Sequence, residues 1–382
     1  MPSGPSPTIE HAPADPLHSV RGRILLHVKS VCGAPLDHVS AKTGGVIFSG
    51  KGARNNIQQF TSKAGHDCPT ILDPSAYEDS YATTEEPFTL EQQHHLDTRR
   101  TGLGATLELL TSSTADLVLS PTRYLRCDPE GARALEEAVR QTNTVDLPKV
   151  VLAVPVDARW LTDRRQHLIS CLRKVRRAPT ALILGSTGNP VGSAHRAQGL
   201  REVLTACPGT ALLRTDLAAL EAMVHGAAFT SIGNTASVRH AVPPGRQGGS
   251  PRPDSSPSVI LPALMNYFWG STLAESLRDP RPCLCDPCAE WGEIRGKGEA
   301  GRPLTDFQDS ADATAAHAHN MAIWSRWWRQ LRSQSPEVRK ERWRGMCRRA
   351  HNEYSWHNAL LSPREKMFQV SPSLSYWAET GG

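Results

Sequence analysis

The chain has 382 residues and a formal net charge of +5, with 39% hydrophobic residues, 29 glycines and 29 prolines. Such a length suits one large domain with an appendage, or two domains. The composition is that of a soluble, loop-rich protein, and no stretch approaches the roughly 20 apolar residues that span a bilayer, so no membrane partner is expected.

The opening segment, MPSGPSPTIEHAPADP, has neither the basic nor the apolar part of a signal peptide. Residues 1–20 are expected to be a disordered tail and the location cytoplasmic. Eight short runs rich in Val, Ile and Leu follow, at 23–31, 44–50, 69–73, 115–120, 149–157, 180–186, 210–216 and 227–234. Unbroken apolar runs suit strands buried on both faces, as in parallel sheets. Helical patterns separate them at 132–142, 163–177, 195–207 and 216–226, the last ending in Gly226 as a C-cap. The beat of strand and helix predicts an α/β fold, a (β/α)8 TIM-like barrel over 21–245. No G-x-G-x-x-G follows a strand, which weakens a dinucleotide-binding reading. Two alternatives stay open: the first two strands could form a hairpin, and SVILPAL (258–264) could supply the eighth barrel strand.

Residues 246–258, rich in Pro, Gly and Ser, read as a linker or loop. A zinc-binding, basic helical region is expected over 259–358, with a second Gly-rich loop at 293–303, and a C-terminal tail over 359–382.

The stretch CLCDPCAEWG carries Cys283, Cys285 and Cys288 at C-x-C-x-x-C spacing. Closely spaced thiolates preorganise a soft-metal site, and structural zinc takes four sulfur or nitrogen ligands. His317 is the expected fourth ligand, with His319 as the alternative. The spacing does not fit the ferredoxin iron–sulfur run, built on C-x-x-C steps. Four protein ligands would leave no open position, so the expected cofactor is a structural Zn2+. The six cysteines outside the cluster, Cys32, Cys68, Cys127, Cys171, Cys207 and Cys347, have no framework spacing and read as buried thiols.

A β/α barrel followed by C-x-C-x-x-C and a downstream histidine resembles the tRNA-guanine transglycosylase family, including its relatives that modify DNA. The resemblance extends over most of 40–332 with degraded motifs. In ALLRTDLAALEAMVHGAAFTSIGNTASVRH (211–240), Gly226 and Phe229 stand in the family's places and Arg239 stands for its Pro-Thr-Arg arginine. ILDPSAYED (71–79) takes the place of the Asp-Ser-Gly-Gly-Phe loop, and Gly185-Ser186 that of the Gly-Gly pair that touches the base. HNMAIWSRWWRQL (319–331) looks like the family's His-Asn helix. The resemblance implies exchange of guanine for a 7-deazaguanine in tRNA or DNA, with one Asp attacking the ribose and another handling protons. Asp73 matches the proton-handling residue. The nucleophile's place holds Thr230, which leaves Asp216 as a substitute, although Asp216 also reads as a helix N-cap. Ser120, Asp157, Gly185, Ser186 and Arg239 are the substrate-binding candidates. The alternative is a non-catalytic, zinc-containing subunit that binds nucleic acid or supports a partner. Assembly as a homo- or heterodimer stays open.

The segment 324–358 is dense in Arg and Trp. The tryptophans read foremost as packing on the barrel. The arginines read equally as phosphate contacts or a solvated face.

Overall fold

The computed structural model describes residues 15–29, 36, 38–63, 67–91, 102–247, 254–278, 281–295, 301–362 and 367–379. Most of the expected N-terminal tail and parts of both Gly-rich loops lie outside the described residues.

Eight parallel strands close into a barrel: β1 (Ile24–Val28), β2 (Val46–Ser49), β3 (Thr70–Asp73), β4 (Leu117–Leu119), β5 (Val150–Asp157), β6 (Thr180–Gly185), β7 (Ala211–Thr215) and β8 (Thr230–Gly233). The eight apolar runs are these strands in order. The first two pair in parallel, Leu26 beside Val46, and form no hairpin. β8 closes the ring on β1, with Thr230 beside Ile24. SVILPAL is not a barrel strand: β9 (Ser258–Leu261) pairs antiparallel with β10 (Asn266–Trp269) outside the ring.

Side chains alternate across each strand, as the two-residue period requires. Leu25, Ile47, Ile71, Leu119, Val151, Ile183, Leu213 and Phe229 fill the interior. Their neighbours, among them Leu26, Phe48, Leu72, Val118 and Leu182, belong to the outer core shared with the helices. Leu17 and Val20, placed in the expected tail, are buried with the interior cluster beneath the strands. Folded structure thus begins before residue 21.

The helices between strands are α1 (Ala53–Thr61), α2 (Leu103–Thr111), α3 (Pro129–Thr142), α4 (Trp160–Asp163), α5 (Arg165–Lys174), α6 (Ala194–Ala206) and α7 (Ala218–Val224). Local chemistry sets their ends. Asp128 caps α3 by accepting from Gly131 N at 2.7 Å, with Pro129 in the first turn, where its missing N–H leaves no bond unmade. Gly226 follows α7 at φ +100°, the left-handed region that glycine enters without strain.

Beyond the barrel come α8 (Gly270–Ser276), α9 (Asp286–Ile294), α10 (Ala313–Arg332), α11 (Pro336–Ala359) and α12 (Pro372–Glu379). The last helix lies inside the expected tail, and Leu374 and Trp377 join the outer core. Trp324, Trp327, Trp328 and Trp343 are all buried and are packing residues, whereas Trp356 of the same segment is exposed. Trp328 Nε1 donates to Gly22 O at 2.8 Å, and Trp343 Nε1 donates to the buried Glu221 on α7 at 2.6 Å. No helix among the described residues is long and apolar enough to cross a membrane.

Candidate metal centre and barrel mouth

Cys285 is the N-cap residue of α9 and Cys288 lies in its first turn, so one tight turn brings the two thiols together. Cys283 is held beside them by a bridge to Arg302, its N–H donating to Arg302 O at 2.8 Å. The fourth donor is His319 of α10, not His317. Two residues on a helix lie about 200° apart, so only one of the pair can face the cysteines. His319 Nδ1 stands 3.4 Å from Cys285 Sγ and 3.5 Å from Cys288 Sγ. His319 Nε2 is 2.9 Å from Ile260 O, a contact that fixes the ring and leaves Nδ1 for a metal. His317 sits near Arg239 instead, and burial and that cation push its pKa down to about 4.

The four donor atoms lie within 4.8 Å of one another. A tetrahedral ion with zinc-like bond lengths sets nitrogen and sulfur about 3.6 Å apart, which the His319 contacts match. The cluster can therefore hold a metal ion. Asn320 ties the same helix to β9, accepting from Ile260 N at 2.7 Å and donating to Ser258 O at 2.8 Å.

The second assembly lies at the C-terminal ends of the barrel strands, where the active sites of such barrels are built. Asp73 ends β3 and is 1% exposed. Its Oδ1 accepts from Ser75 N at 2.8 Å, and its Oδ2 accepts from the Tyr77 hydroxyl at 2.6 Å. His27 Nε2 lies 3.3 Å from the same Oδ2, and His27 Nδ1 lies 3.2 Å from Ser231 Oγ. Arg214 Nη1 donates to Tyr77 Oη at 3.1 Å and to Glu78 Oε1 at 2.5 Å, and Lys29 completes the chain at 2.7 Å from Glu78.

Arg214 reaches this position through a break in the strand. The β7–β8 register shifts between Leu212 and Thr215, and Arg214 takes φ 50°. Such a bulge re-aims a side chain, at a backbone cost of about 1–3 kcal/mol. Burial pushes the Asp73 pKa up, but His27, Tyr77 and Arg214 outweigh it and hold the carboxyl below its usual range. Burial keeps His27 below its usual value despite Asp73. The pair thus favours an anionic Asp73 beside a neutral imidazole.

The other candidate residues have structural partners, and among the described residues none shares a hydrogen bond or ion pair with Asp73. Asp216 Oδ1 accepts from Ala218 N at 2.9 Å, the bond of a helix start. Ser120 Oγ is 2.7 Å from Thr122 Oγ1 and accepts from Ala153 N at 2.9 Å, tying the end of β4 to β5. Asp157 receives the Arg159 guanidinium on both oxygens at 3.0 Å. Ser186 N donates to Ala241 O at 2.9 Å. Arg239 stacks 3.5 Å from the Tyr267 ring centroid and donates to Ser258 Oγ at 3.2 Å, fastening β9 and β10. At Gly185 the space is taken: a Cβ there would lie 2.2 Å from the Tyr124 hydroxyl. Tyr124 packs edge-on against Tyr81 with ring centroids 5.8 Å apart. Thr230 is the first residue of β8, next to the start of β1, at the end opposite the mouth. It is fully buried there.

No protein-family model matches this chain, and no curated protein matches it in sequence.

His27, Tyr77, Glu78, Arg214 and Ser231 escaped the sequence reading. A signal existed for two of them, since His27 and Arg214 interrupt otherwise apolar strand runs.

Many barrel arginines are paired, although Arg173, Arg176 and Arg246 are exposed and face no carboxylate among the described residues. Arg123, Arg126, Arg133, Arg140, Arg159, Arg165 and Arg177 each face a carboxylate. Arg326, Arg329, Arg332, Arg342, Arg348 and Arg349 are exposed, and none has an acidic partner among the described residues. Arg332 opens onto a cleft of about 630 Å³ at the barrel floor, lined also by Arg21, Gly209, Gly226 and Trp328.

Proposed function

We propose that this chain is a zinc-stapled barrel that binds a nucleic-acid backbone and does not itself exchange bases. The unpaired arginines of α10 and α11 carry the reading. Exposed guanidiniums without carboxylates suit bidentate phosphate contact and release of counterions. The place of Arg332 favours binding over base chemistry, because it lies at the floor of the barrel and base exchange would occupy the mouth. At the mouth, Asp73 is sealed from solvent with both oxygens engaged, Tyr124 covers Gly185, and β8 carries no carboxylate. The Cys283, Cys285, Cys288 and His319 donor set fits zinc in a structural role, with no position left for substrate. That ion would fasten α9 to α10 and so set the arginine-bearing helices against the barrel.

The test is binding of the full chain to tRNA and to duplex DNA across a range of salt. Affinity is expected to fall linearly on a log–log plot. The Arg342→Gln, Arg348→Gln, Arg349→Gln triple variant should flatten the slope by about two to three, roughly one for each phosphate no longer neutralised. Absence of salt-sensitive binding to either polymer would overturn the proposal and favour a barrel acting on a small molecule.

A second reading, transglycosylase-like exchange of guanine for a 7-deazaguanine, keeps one observation in its favour: Asp73 ends a barrel strand and is held ionised. Nucleoside mass spectrometry of tRNA and genomic DNA from cells with and without the gene separates the two. A deazaguanine-type nucleoside that vanishes with the gene would establish exchange.

A further inference from the structure

A second group of metal-ligating side chains lies on the outside of the barrel, and neither the zinc centre nor the mouth uses it. His167 and Cys171 are four residues apart on α5, which puts both on one face of the helix. Glu136 projects toward them from α3. The carboxylate oxygen, imidazole nitrogen and thiol sulfur lie within 4.8 Å of one another. Glu136 Oε1 is 3.5 Å from His167 Nε2.

Three features set this group apart from an ordinary surface ion pair. His167 Nε2 is buried and has no hydrogen-bond partner among the described residues, an unusual state for a ring nitrogen and one that a metal would relieve. Among the described residues the Glu136 carboxylate pairs with no arginine, whereas on the same helix Glu130 is taken by Arg133 and Glu137 by Arg140. The imidazole is also packed on the buried Trp160, ring centroids 6.0 Å apart, which limits its movement. Cys171 is 1% exposed and sits beneath the pair, while Glu136 is 52% exposed and can swing. Burial pushes the Cys171 thiol up to about 11, so the free thiol is inert and ion binding would have to expel its proton.

The geometry points to a second metal site at Glu136, His167 and Cys171, selective for a zinc-class divalent ion. One sulfur, one nitrogen and one oxygen suit a borderline-soft cation and disfavour magnesium or calcium, which take oxygen alone. Three protein ligands leave a fourth position for water. The donors must draw together by roughly an ångström to reach zinc-like separations of about 3.6 Å, and the exposed Glu136 side chain supplies most of that movement. The ion would clip α3 to α5 on the barrel's outer wall. Because one ligand is exposed, it should exchange with chelators faster than the buried cluster of three cysteines and His319.

The test is a metal count on the full chain after dialysis against zinc, and again after brief treatment with a mild chelator. Two equivalents are expected at first and one after chelation. The His167→Gln and Glu136→Gln variants should hold one equivalent throughout. Cobalt titration gives an independent readout: Cys171→Ser should abolish the thiolate charge-transfer band of the weaker step alone. His167→Gln and Glu136→Gln alter a half-exposed and an exposed side chain, so the count stays readable even where Cys171→Ser fails to fold. One equivalent in the native chain, or two equivalents surviving in His167→Gln, would overturn the site.

Discussion

Tyr77 donates its hydroxyl to Asp73 Oδ2 across 2.6 Å, and Arg214 reaches the same hydroxyl from the opposite side of the barrel. One tyrosine thus joins a buried carboxylate on β3 to a buried guanidinium on β7. Tyr77→Phe removes the donor and leaves one oxygen of an enclosed anion short of a partner. The expected loss is about 1–3 kcal/mol, read as a lower denaturant midpoint at neutral pH with an unchanged slope.

Gly185 and Tyr124 compete for one volume. A methyl group at 185 would lie 2.2 Å from the Tyr124 hydroxyl and 2.3 Å from its ring. Gly185→Ala should destabilise the chain by about 1–3 kcal/mol through overpacking. In a Tyr124→Leu background the same substitution should cost much less. A double-mutant cycle measures this coupling directly, and additive effects would show that the ring moves aside freely.

The metal centre predicts a clean separation between two histidines. His319→Ala should cost the Cys283, Cys285 and Cys288 cluster its tightly bound equivalent and lower the melting temperature. His317→Ala should keep the metal, since His317 is not among the cluster's donors. Strong chelators should destabilise the native chain, because binding energy at a structural zinc site is also folding energy.

His225 makes stability depend on pH. Burial, reinforced by Arg201, Lys340 and Arg344, pushes its pKa down to about 3. An unfolded histidine titrates near 6.5. The unfolded chain therefore binds the proton first, and stability should fall as pH drops through 6.5 and continue falling toward 3. Glu221, raised by burial, acts in the opposite direction as it protonates. The His225→Gln variant should lose less stability between pH 7 and 5 than the native chain, measured by chemical denaturation at each pH.

The barrel was legible because each strand is a short apolar run bounded by turn residues, and burial on both faces demands that pattern. The side of the ring on which a run would pair was not, which is why 258–264 competed for the eighth place. β8 closes on β1 through contacts between residues about 200 positions apart, and no local pattern encodes such a closure. The three cysteines of the cluster were legible because they lie close together in the chain, whereas its histidine comes from a distant helix.

The amino-acid sequence by itself determined the alternation of strand and helix and the three cysteines of the candidate metal centre, and it favoured packing for Trp324, Trp327, Trp328 and Trp343, because each follows from neighbouring residues and their period. Only the tertiary structure decided which histidine completes the cluster, since the rotation of α10 against β9 turns His319 inward. It also decided the fate of Asp73. A strand-end carboxylate reads as a reactive group, yet His27, Tyr77 and Arg214, brought from β1, the loop after β3 and a bulge in β7, enclose it. Burial and hydrogen bonding among residues far apart in the chain set what that carboxylate can do.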